Sequence, residues 1–442
     1  MRTSWERSDI VFLTADQSGK GDRVVDDQRR PVQSQRLSTG ELAFRAEKVP
    51  AFGVRRYRVE NGEGTTGKGI EIDKKGIAND KLRLTVDLES GAISSITMKD
   101  SERELVNSSK YKLNEFIYIR GRETGENISG IAHPVSVRVE DAGPLIGTLC
   151  VESNAPGCNK LTRKVRLIAG DPRIEIINTV DKRQVLDPEG VYFAFPFNIP
   201  GGRIRIDIPW GVLRPETDQL PGANRNFNSV QRWVDVSNER FGMTWVTPDA
   251  PMIKLDPIKI IGKGRGESQF VSEMGTAGIK QWWNESLNPG QSFFSWVMSN
   301  HWETNYKAYQ EGEITYRYVM IPHDKGYNAF EGEKFGRGIC QPLIPVEVKP
   351  GSKAHEAGFT INSEQVVVTS LRSLGEDGNL ILRLYNTGAN TSTAEIIGRN
   401  DAGISIHYSN TSGTLMKPAG NIIELPGYGV ATLRIMDPAS GR

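Results

Sequence analysis

The sequence predicts an all-β protein, with a large central sandwich and smaller β-sandwich modules on either side of it. Apolar and polar residues alternate over most of the chain, and a period of two is the pattern of strands that bury one face. Turn-forming residues recur about every ten positions, as in antiparallel sandwiches. Amphipathic stretches with a helical period are nearly absent. We therefore expect strands in every module and few helices.

Three modules are predicted along the chain. Its 442 residues exceed the length of roughly 250 to 300 at which a single hydrophobic core stops growing. Residues 1–61 are expected to form a small N-terminal β module, which ends before a linker rich in glycine and threonine. Residues 62–340 are expected to form the large super-sandwich, and residues 341–442 the C-terminal β-sandwich.

Individual strands are predicted where the alternation is clearest. Leu82, Leu84, Val86 and Leu88 fall on one face, and Gly91 then marks a turn before a second strand, which predicts a hairpin. The other strands are predicted at residues 10–13, 42–44, 54–59, 135–139, 165–167, 174–176, 204–208, 366–368, 380–385, 394–397 and 431–435.

Charge and hydropathy exclude two classes of partner. The chain has 55 Lys and Arg against 54 Asp and Glu, so no basic surface is expected for nucleic acid or an anionic membrane. No run of 18 apolar residues occurs, and the first residues contain no apolar stretch of signal-peptide length. We expect no membrane segment and no signal peptide in the given sequence, and a cytoplasmic protein if the sequence is complete as written.

Metal and redox motifs do not occur. Cys150, Cys158 and Cys340 match no Cys-x-x-Cys spacing, which predicts reduced structural thiols. The five histidines stand singly, whereas zinc needs at least three converging ligands. The sequence therefore predicts no metal and no other cofactor in this chain.

Several phrases occur together in one known family. The run 296–320 joins an Asn-His-Trp-Glu-Thr-Asn island to a strand that contains Arg-Tyr. Similar phrases lie at residues 4–11, 79–100, 192–197, 218–222 and 382–386. Together they resemble the β-rich C-terminal half of glycoside hydrolase family 38, the zinc-dependent α-mannosidases, over essentially the whole chain.

The resemblance implies a galactose-mutarotase-like super-sandwich for the central module. It also implies that bond cleavage belongs to an N-terminal α/β barrel, which holds zinc and a nucleophilic aspartate. The His-x-Asp and His-His-Asp phrases of that barrel do not occur here. We expect the chain to begin in the middle of a family protein, to have a family-type catalytic barrel as its partner, and to leave zinc to that absent barrel.

Candidate sugar-contacting residues fall in two polar stretches. Amide and guanidinium groups can bond to hydroxyls, while an aromatic face covers the C–H groups of a pyranose. In the stretch 218–238 these residues are Gln219, Arg232 and Trp233, and in the island they are Trp302 and Asn305. The first stretch can face a substrate pocket on the barrel or brace the sandwich against it. The second can instead be a structural turn closed by buried amides.

The resemblance adds two candidates. Tyr118 and Arg240 occupy places that approximately match a tyrosine and an arginine at the rim of the family's mannose pocket. Glu285 and Glu303 adjoin tryptophans, but glycoside hydrolysis usually needs two carboxyl groups roughly 5 to 9.5 Å apart across the sugar. We interpret both as surface residues near core tryptophans, and we predict no catalytic residue in the chain.

The first hypothesis is therefore the carbohydrate-contacting and structural β region of an α-mannosidase-like glycoside hydrolase. The complete enzyme would hydrolyse α-mannosides in mannose-containing glycans, and this chain would be inactive without the barrel. The alternative is a free-standing carbohydrate-binding or mutarotase-like protein. Mutarotation needs a glutamate base and histidine acids that converge in one groove, and no motif surrounds His133 or His301.

Overall fold

The computed structural model consists mainly of β-strands. It describes residues 3–67, 69–121, 128–223, 225–255, 258, 289–300, 307–349, 359–375, 379–398 and 404–436. These ranges contain 34 strands and one α-helix, so the all-β prediction is confirmed. By its contacts the chain divides into unit 1, residues 1–66, 209–211 and 328–442, and unit 2, residues 67–208 and 212–327. The division into three modules stays a prediction.

Unit 1 begins with two small antiparallel sheets. Their strands are β1 (Arg7–Leu13), β2 (Arg23–Asp26), β3 (Pro31–Val32), β4 (Ser34–Arg36), β5 (Leu42–Val49) and β6 (Tyr57–Glu60). The sheet orders are β1-β5-β4 and β3-β2-β6. Val11, Val24, Leu42 and Phe44 form one buried cluster from both sheets. A small β module at the N-terminus therefore has a core of its own.

The described residues of unit 2 form three antiparallel sheets. Its strands are β7 (Glu71–Asp73), β8 (Gly76–Ala78), β9 (Leu82–Val86), β10 (Ile93–Met98), β11 (Arg103–Glu104), β12 (Phe116–Arg120), β13 (Gly130–Ile131), β14 (His133–Ala142), β15 (Ile146–Asn154), β16 (Cys158–Ile168), β17 (Ile174–Lys182), β18 (Glu189–Pro196), β19 (Arg203–Ile208), β20 (Gly211–Leu213), β21 (Asn228–Ser229), β22 (Trp233–Ser237), β23 (Gly242–Val246), β24 (Met252–Leu255), β25 (Ser292–Ser299) and β26 (Gly312–His323). The sheet orders are β11-β10-β9-β8-β7, β13-β12-β18-β25-β24-β21 and β14-β15-β16-β17-β26-β23-β22-β19-β20.

Unit 1 resumes with a helix and the last two sheets. The elements are α1 (Ala329–Cys340), β27 (Phe359–Asn362), β28 (Val366–Leu374), β29 (Asn379–Asn386), β30 (Ser392–Gly398), β31 (Ser405–Ser409), β32 (Leu415–Ala419), β33 (Ile422–Leu425) and β34 (Val430–Met436), in sheets β27-β30-β33 and β28-β29-β34-β31-β32. Arg7 of β1 donates to the carbonyls of Gly338 and Gln341, which satisfies acceptors at the C-terminus of α1. Phe52 packs on Phe359 at 5.2 Å between ring centroids, so the first segment also enters the last core.

The six-stranded sheet of unit 2 is buried on both faces. On one face Phe193, Phe195 and Phe293 join the main core with Tyr318 of the nine-stranded sheet. On the other face Ile117, Ile119, Tyr192, Ala194 and Phe294 form a second buried cluster. This double burial explains why β12 and β18 are continuous apolar runs rather than alternating strands.

The predicted hairpin is confirmed, with one difference. β9 pairs with β10, and Leu82, Leu84 and Val86 are 1 to 4% exposed on its inner face. Leu88 is 50% exposed, because β9 ends at Val86 and the chain has already entered the turn. The alternation thus holds only while the strand is paired.

One arginine holds this turn to the sandwich. Arg163 on β16 is 1% exposed, and its Nη2 donates to Ser90 O at 2.6 Å and to Ser153 Oγ at 3.0 Å. Burial lowers the pKa of its guanidinium to about 10, so the group still carries its charge at neutral pH. Gly91 follows at a φ of 67°, and a Cβ atom there would lie 2.4 Å from Arg163 Nη2 and 2.7 Å from Val151 Cγ1.

We expect Gly91→Ala to lower the free energy of unfolding by about 2 to 4 kcal/mol, since it adds steric overlap to an unfavourable backbone conformation. Gly201→Ala is the matched control, because Gly201 has a φ of 71° and nothing within 4 Å of its Cβ position. The control should lose only about 1 to 2 kcal/mol. Urea unfolding measures both, and equal losses would contradict the role of Arg163 as a close neighbour.

Candidate functional site

A buried polar cluster lies where three strands of unit 2 meet. Tyr118 is on β12, Lys182 ends β17 and Glu189 begins β18. Lys182 Nζ lies 2.6 Å from Glu189 Oε1, and the two side chains are 2% and 1% exposed. Because both charges are removed from water, each depends on the other for compensation. The pair therefore fixes the two ends of the loop 183–188.

The phenol of Tyr118 completes the cluster. Tyr118 is 4% exposed, and burial first, then the facing Glu189 carboxylate, raises the pKa of its phenol. The phenol stays protonated at neutral pH and faces a carboxylate as a donor. The backbone of Gly157 closes the cluster, since a Cβ atom there would lie 2.9 Å from Tyr118 Cε2 and 3.1 Å from Glu189 Oε2. Because the cluster is enclosed, its side chains do not contact a ligand. Their role is to position the loop 183–188.

Asn300 holds the same loop from the neighbouring strand. It directly follows β25 and is 4% exposed. Its Nδ2 donates to the carbonyls of Val185 and Asp187 at 2.9 Å each, and its Oδ1 accepts from the backbone N of Glu189 at 2.5 Å. One amide thus satisfies three backbone groups, and it fixes the middle of the loop.

The loop lines an open pocket. An open depression of about 490 Å³ is lined by Gln184, Val185, Leu186 and Asp187. Gln184 and Asp187 are exposed, and Leu186 is 64% exposed. A carboxylate and an amide beside an apolar side chain can bond to hydroxyls and cover C–H groups, which is the chemistry that a sugar requires.

The predicted contact residues occupy different places. Tyr118 lies in the buried cluster of the six-stranded sheet, whereas Arg232, Trp233 and Arg240 lie on or next to strands of the nine-stranded sheet, and Gln219 lies in the loop before β21. Gln219 accepts from Glu216 N at 3.1 Å. Arg232 Nη1 lies 3.5 Å from Asp207 Oδ2.

Two more of these residues have structural contacts. Trp233 is 1% exposed, and its ring centroid lies 6.0 Å from that of Tyr327. Arg240 is exposed in a turn, where its backbone N donates to Asn238 Oδ1 at 2.8 Å. Trp302 and Asn305, like Glu285 and Glu303, lie outside the described residues. Substrate contact by the seven predicted residues stays a prediction.

Sequence reasoning missed Lys182, Glu189 and Asn300 as functional candidates. The signal for Lys182 was present in β17, where Lys182 is in phase with the buried Ile174, Ile176 and Val180. A charged side chain on the inward phase of a strand needs a buried partner. Such a partner could have been sought among nearby acids, although sequence alone does not select Glu189.

A second polar cluster surrounds His323 at the end of β26. Its Nε2 lies 2.9 Å from Asp235 Oδ2, and its Nδ1 lies 2.7 Å from the carbonyl O of Lys325. Because both neighbours are acceptors, the doubly protonated ring satisfies both. Burial lowers the pKa of His323, but the hydrogen bond and charge of Asp235, with Lys325 O and Asp324, outweigh it, so the pKa is raised.

In the described part of the chain, no group of three or more His, Cys, Asp and Glu side chains is placed to hold a metal ion. His301 and His355 lie outside that part. All three cysteines are free, and burial raises the pKa of the Cys158 thiol to about 11. The expected lack of a cofactor in this chain stays a prediction.

A family model matches the segment that carries the cluster. Residues 77–250 match the glycosyl hydrolases family 38 C-terminal domain. This segment is similar to the family 38 C-terminal domain. The predicted resemblance to the C-terminal region of family 38 is thereby confirmed. No curated protein matches the sequence.

Solved structures share the fold of the family 38 region and its flanks. An α-mannosidase from Enterococcus faecalis V583 matches with a TM-score of 0.70 at 11% identity, over 98% of this chain and 55% of that chain. A family 38 protein from Enterococcus faecalis matches with a TM-score of 0.69 at 11% identity, over 98% and 57%. This chain thus spans little more than half the length of either protein.

A galactose mutarotase related enzyme from Lactobacillus acidophilus matches with a TM-score of 0.33 at 12% identity, over 57% of this chain and 97% of that chain. Within the described ranges, no helix combines the length and apolarity that a membrane crossing requires.

We expect Lys182→Met to lower the free energy of unfolding by about 3 to 5 kcal/mol, because it leaves the Glu189 carboxylate buried without its countercharge. The double variant Lys182→Met/Glu189→Leu should regain most of this loss. Lys160→Met is the control, since its pair with Glu152 is 51% and 26% exposed, and it should change stability by less than about 1 kcal/mol. Urea unfolding measures all three, and a double variant that is less stable than Lys182→Met would contradict the pairing.

We also expect His323 to make stability depend on pH. Because its folded pKa is raised above the unfolded value of about 6.5, its contribution is fully present below that pH and is lost as pH rises through the folded pKa. The stability difference between wild type and His323→Gln should shrink as pH rises above about 6.5 in urea unfolding. The exposed His133, as His133→Gln, is the control. A stability difference that grows as pH rises would show that the protonated form of His323 does not stabilise the fold.

Proposed function

We propose that this chain is the carbohydrate-contacting and structural β region of an α-mannosidase-like glycoside hydrolase. On this proposal a family-type catalytic barrel supplies zinc and the nucleophile, and the complete enzyme hydrolyses α-mannosides. The match of residues 77–250 to the family 38 C-terminal domain supports the first part. The similarity in fold to an α-mannosidase from Enterococcus faecalis supports the choice of sugar.

The pocket beside the loop 183–188 carries the proposal of carbohydrate contact. Its lining offers the Asp187 carboxylate and the Gln184 amide to sugar hydroxyls, and the Leu186 side chain to the C–H groups. The Lys182–Glu189 pair and Asn300 hold this loop before any ligand arrives. Because the ordering is already present in the fold, less binding free energy is lost on association.

The same cluster argues against hydrolysis by this chain alone. Glu189 is 1% exposed, paired with Lys182 and faced by the Tyr118 phenol, so a sugar does not reach its carboxylate. A glycosidase needs a second carboxyl group across the scissile bond, at roughly 5 to 9.5 Å. We therefore assign Glu189 a positioning role and place bond cleavage on the barrel.

Calorimetric titration with methyl α-mannoside tests the pocket. We expect Asp187→Ala to weaken binding by about tenfold or more, because a hydrogen bond to a charged acceptor is lost. Asp16→Ala, at an exposed position in unit 1, should bind as wild type does. Equal affinities for wild type and Asp187→Ala would place the sugar elsewhere.

An assay with an aryl α-mannoside tests whether this chain cleaves glycosidic bonds without the barrel. We expect no enzyme-like turnover by the purified chain, with or without added zinc. Turnover that survives stringent removal of contaminants would refute the proposal. Catalysed mutarotation of glucose or galactose would instead favour the free-standing mutarotase-like protein.

A further inference from the structure

We propose a second carbohydrate contact on the loop 214–229, in which the ring of Phe227 is a stacking platform for one pyranose. The inference rests on the proposed function, and it adds a site together with the chemistry of its ligand. That ligand is a neutral sugar unit whose C–H face can lie on an aromatic ring.

The loop is held by two arginines, of which Arg225 is buried and Arg214 is exposed. Arg225 is 5% exposed, its Nε lies 2.8 Å from Glu216 Oε1, and its Nη1 donates to Ala223 O at 2.9 Å. Arg214 pairs with Asp218 at 2.6 Å. These bonds determine the path of the backbone, so the side chains that the loop exposes have defined positions.

The loop has an inverted distribution of polar and apolar side chains. Arg225, Asn226 and Asn228 are 5%, 8% and 6% exposed, whereas Phe227 between them is 41% exposed. Among the residues that the structure describes, no other phenylalanine is exposed. Charged and amide side chains normally face water and aromatic ones the core. An exposed ring between buried polar neighbours is the arrangement that a stacking contact requires.

The ring of Phe227 is supported from below by other aromatic rings. Its centroid lies 5.9 Å from that of Trp296, at an interplanar angle of 51°. Trp296 in turn stacks on its cross-strand neighbour Tyr192, at 6.2 Å and 13°, and the Lys254 ammonium lies 4.5 Å from the Trp296 centroid. The platform is therefore continuous with the buried face of the six-stranded sheet and has little freedom to turn away.

The surroundings favour a sugar over a protein partner. A stable protein interface buries roughly 1,200 Å² or more, whereas the large apolar side chains exposed in the described part of this loop are Phe227 and Leu220. One phenyl ring matches one pyranose in size. The Gln219 amide donates to Asn228 Oδ1, on the residue after Phe227, at 3.4 Å.

Titration of the full chain with methyl α-mannoside and α-mannobiose tests the platform. We expect Phe227→Ala to weaken binding of the disaccharide by about tenfold, and Phe227→Trp to retain it. The introduced indole should also report the contact by a blue shift of its emission. Leu220→Ala is the matched control on the same loop and should bind as wild type does. Unchanged thermal unfolding of each variant shows that the fold is intact.

The outcomes separate the two carbohydrate sites. Wild-type affinity in Phe227→Ala, with a loss in Asp187→Ala, would overturn the platform and leave the pocket. A loss in Phe227→Ala alone would support the platform and refute the pocket. Equal losses in Phe227→Ala and Leu220→Ala would indicate a general apolar contact and overturn the inference. No binding by the wild type would overturn both sites.

Discussion

Burial of the six-stranded sheet on both faces is the constraint on which the rest of unit 2 depends. With apolar clusters above and below it, a polar or charged side chain within its strands loses its hydration and is costly to bury without a partner. Glu189 begins β18 of this sheet and Lys182 ends β17 of the nine-stranded sheet, and the Tyr118 phenol of β12 faces the same carboxylate. This buried pair therefore links the two sheets beside the loop 183–188.

Much of the fold could be predicted from the sequence, because the alternation of apolar and polar residues indicates which face of a strand is buried. The hairpin of β9 and β10 follows from it, and so does the class of the protein. Leu88 departs from the pattern because the alternation continues past the last paired residue. The burial of β18 on both faces was harder to predict, since a continuous apolar run does not by itself show what covers each face.

The candidate site was less predictable, for a physical reason. Arg163 and Lys182 are in phase with buried apolar residues of β16 and β17, yet a single sequence does not show which distant group compensates each charge. Arg163 bonds to Ser90, 73 residues away, and Asn300 bonds to Val185, 115 residues away. The stretch 218–238 was identified as rich in sugar-binding residue types, but composition does not show that the fold buries Arg225 and exposes Phe227.

The enclosed Lys182–Glu189 pair also limits how this region can change over generations. A lineage that replaces either member alone passes through a protein with an uncompensated interior charge. Two simultaneous substitutions are rare. We therefore expect the pair to be retained even where two apolar side chains would stabilise the fold equally well. The loop that it closes can therefore diversify in its exposed residues while its two ends remain in place.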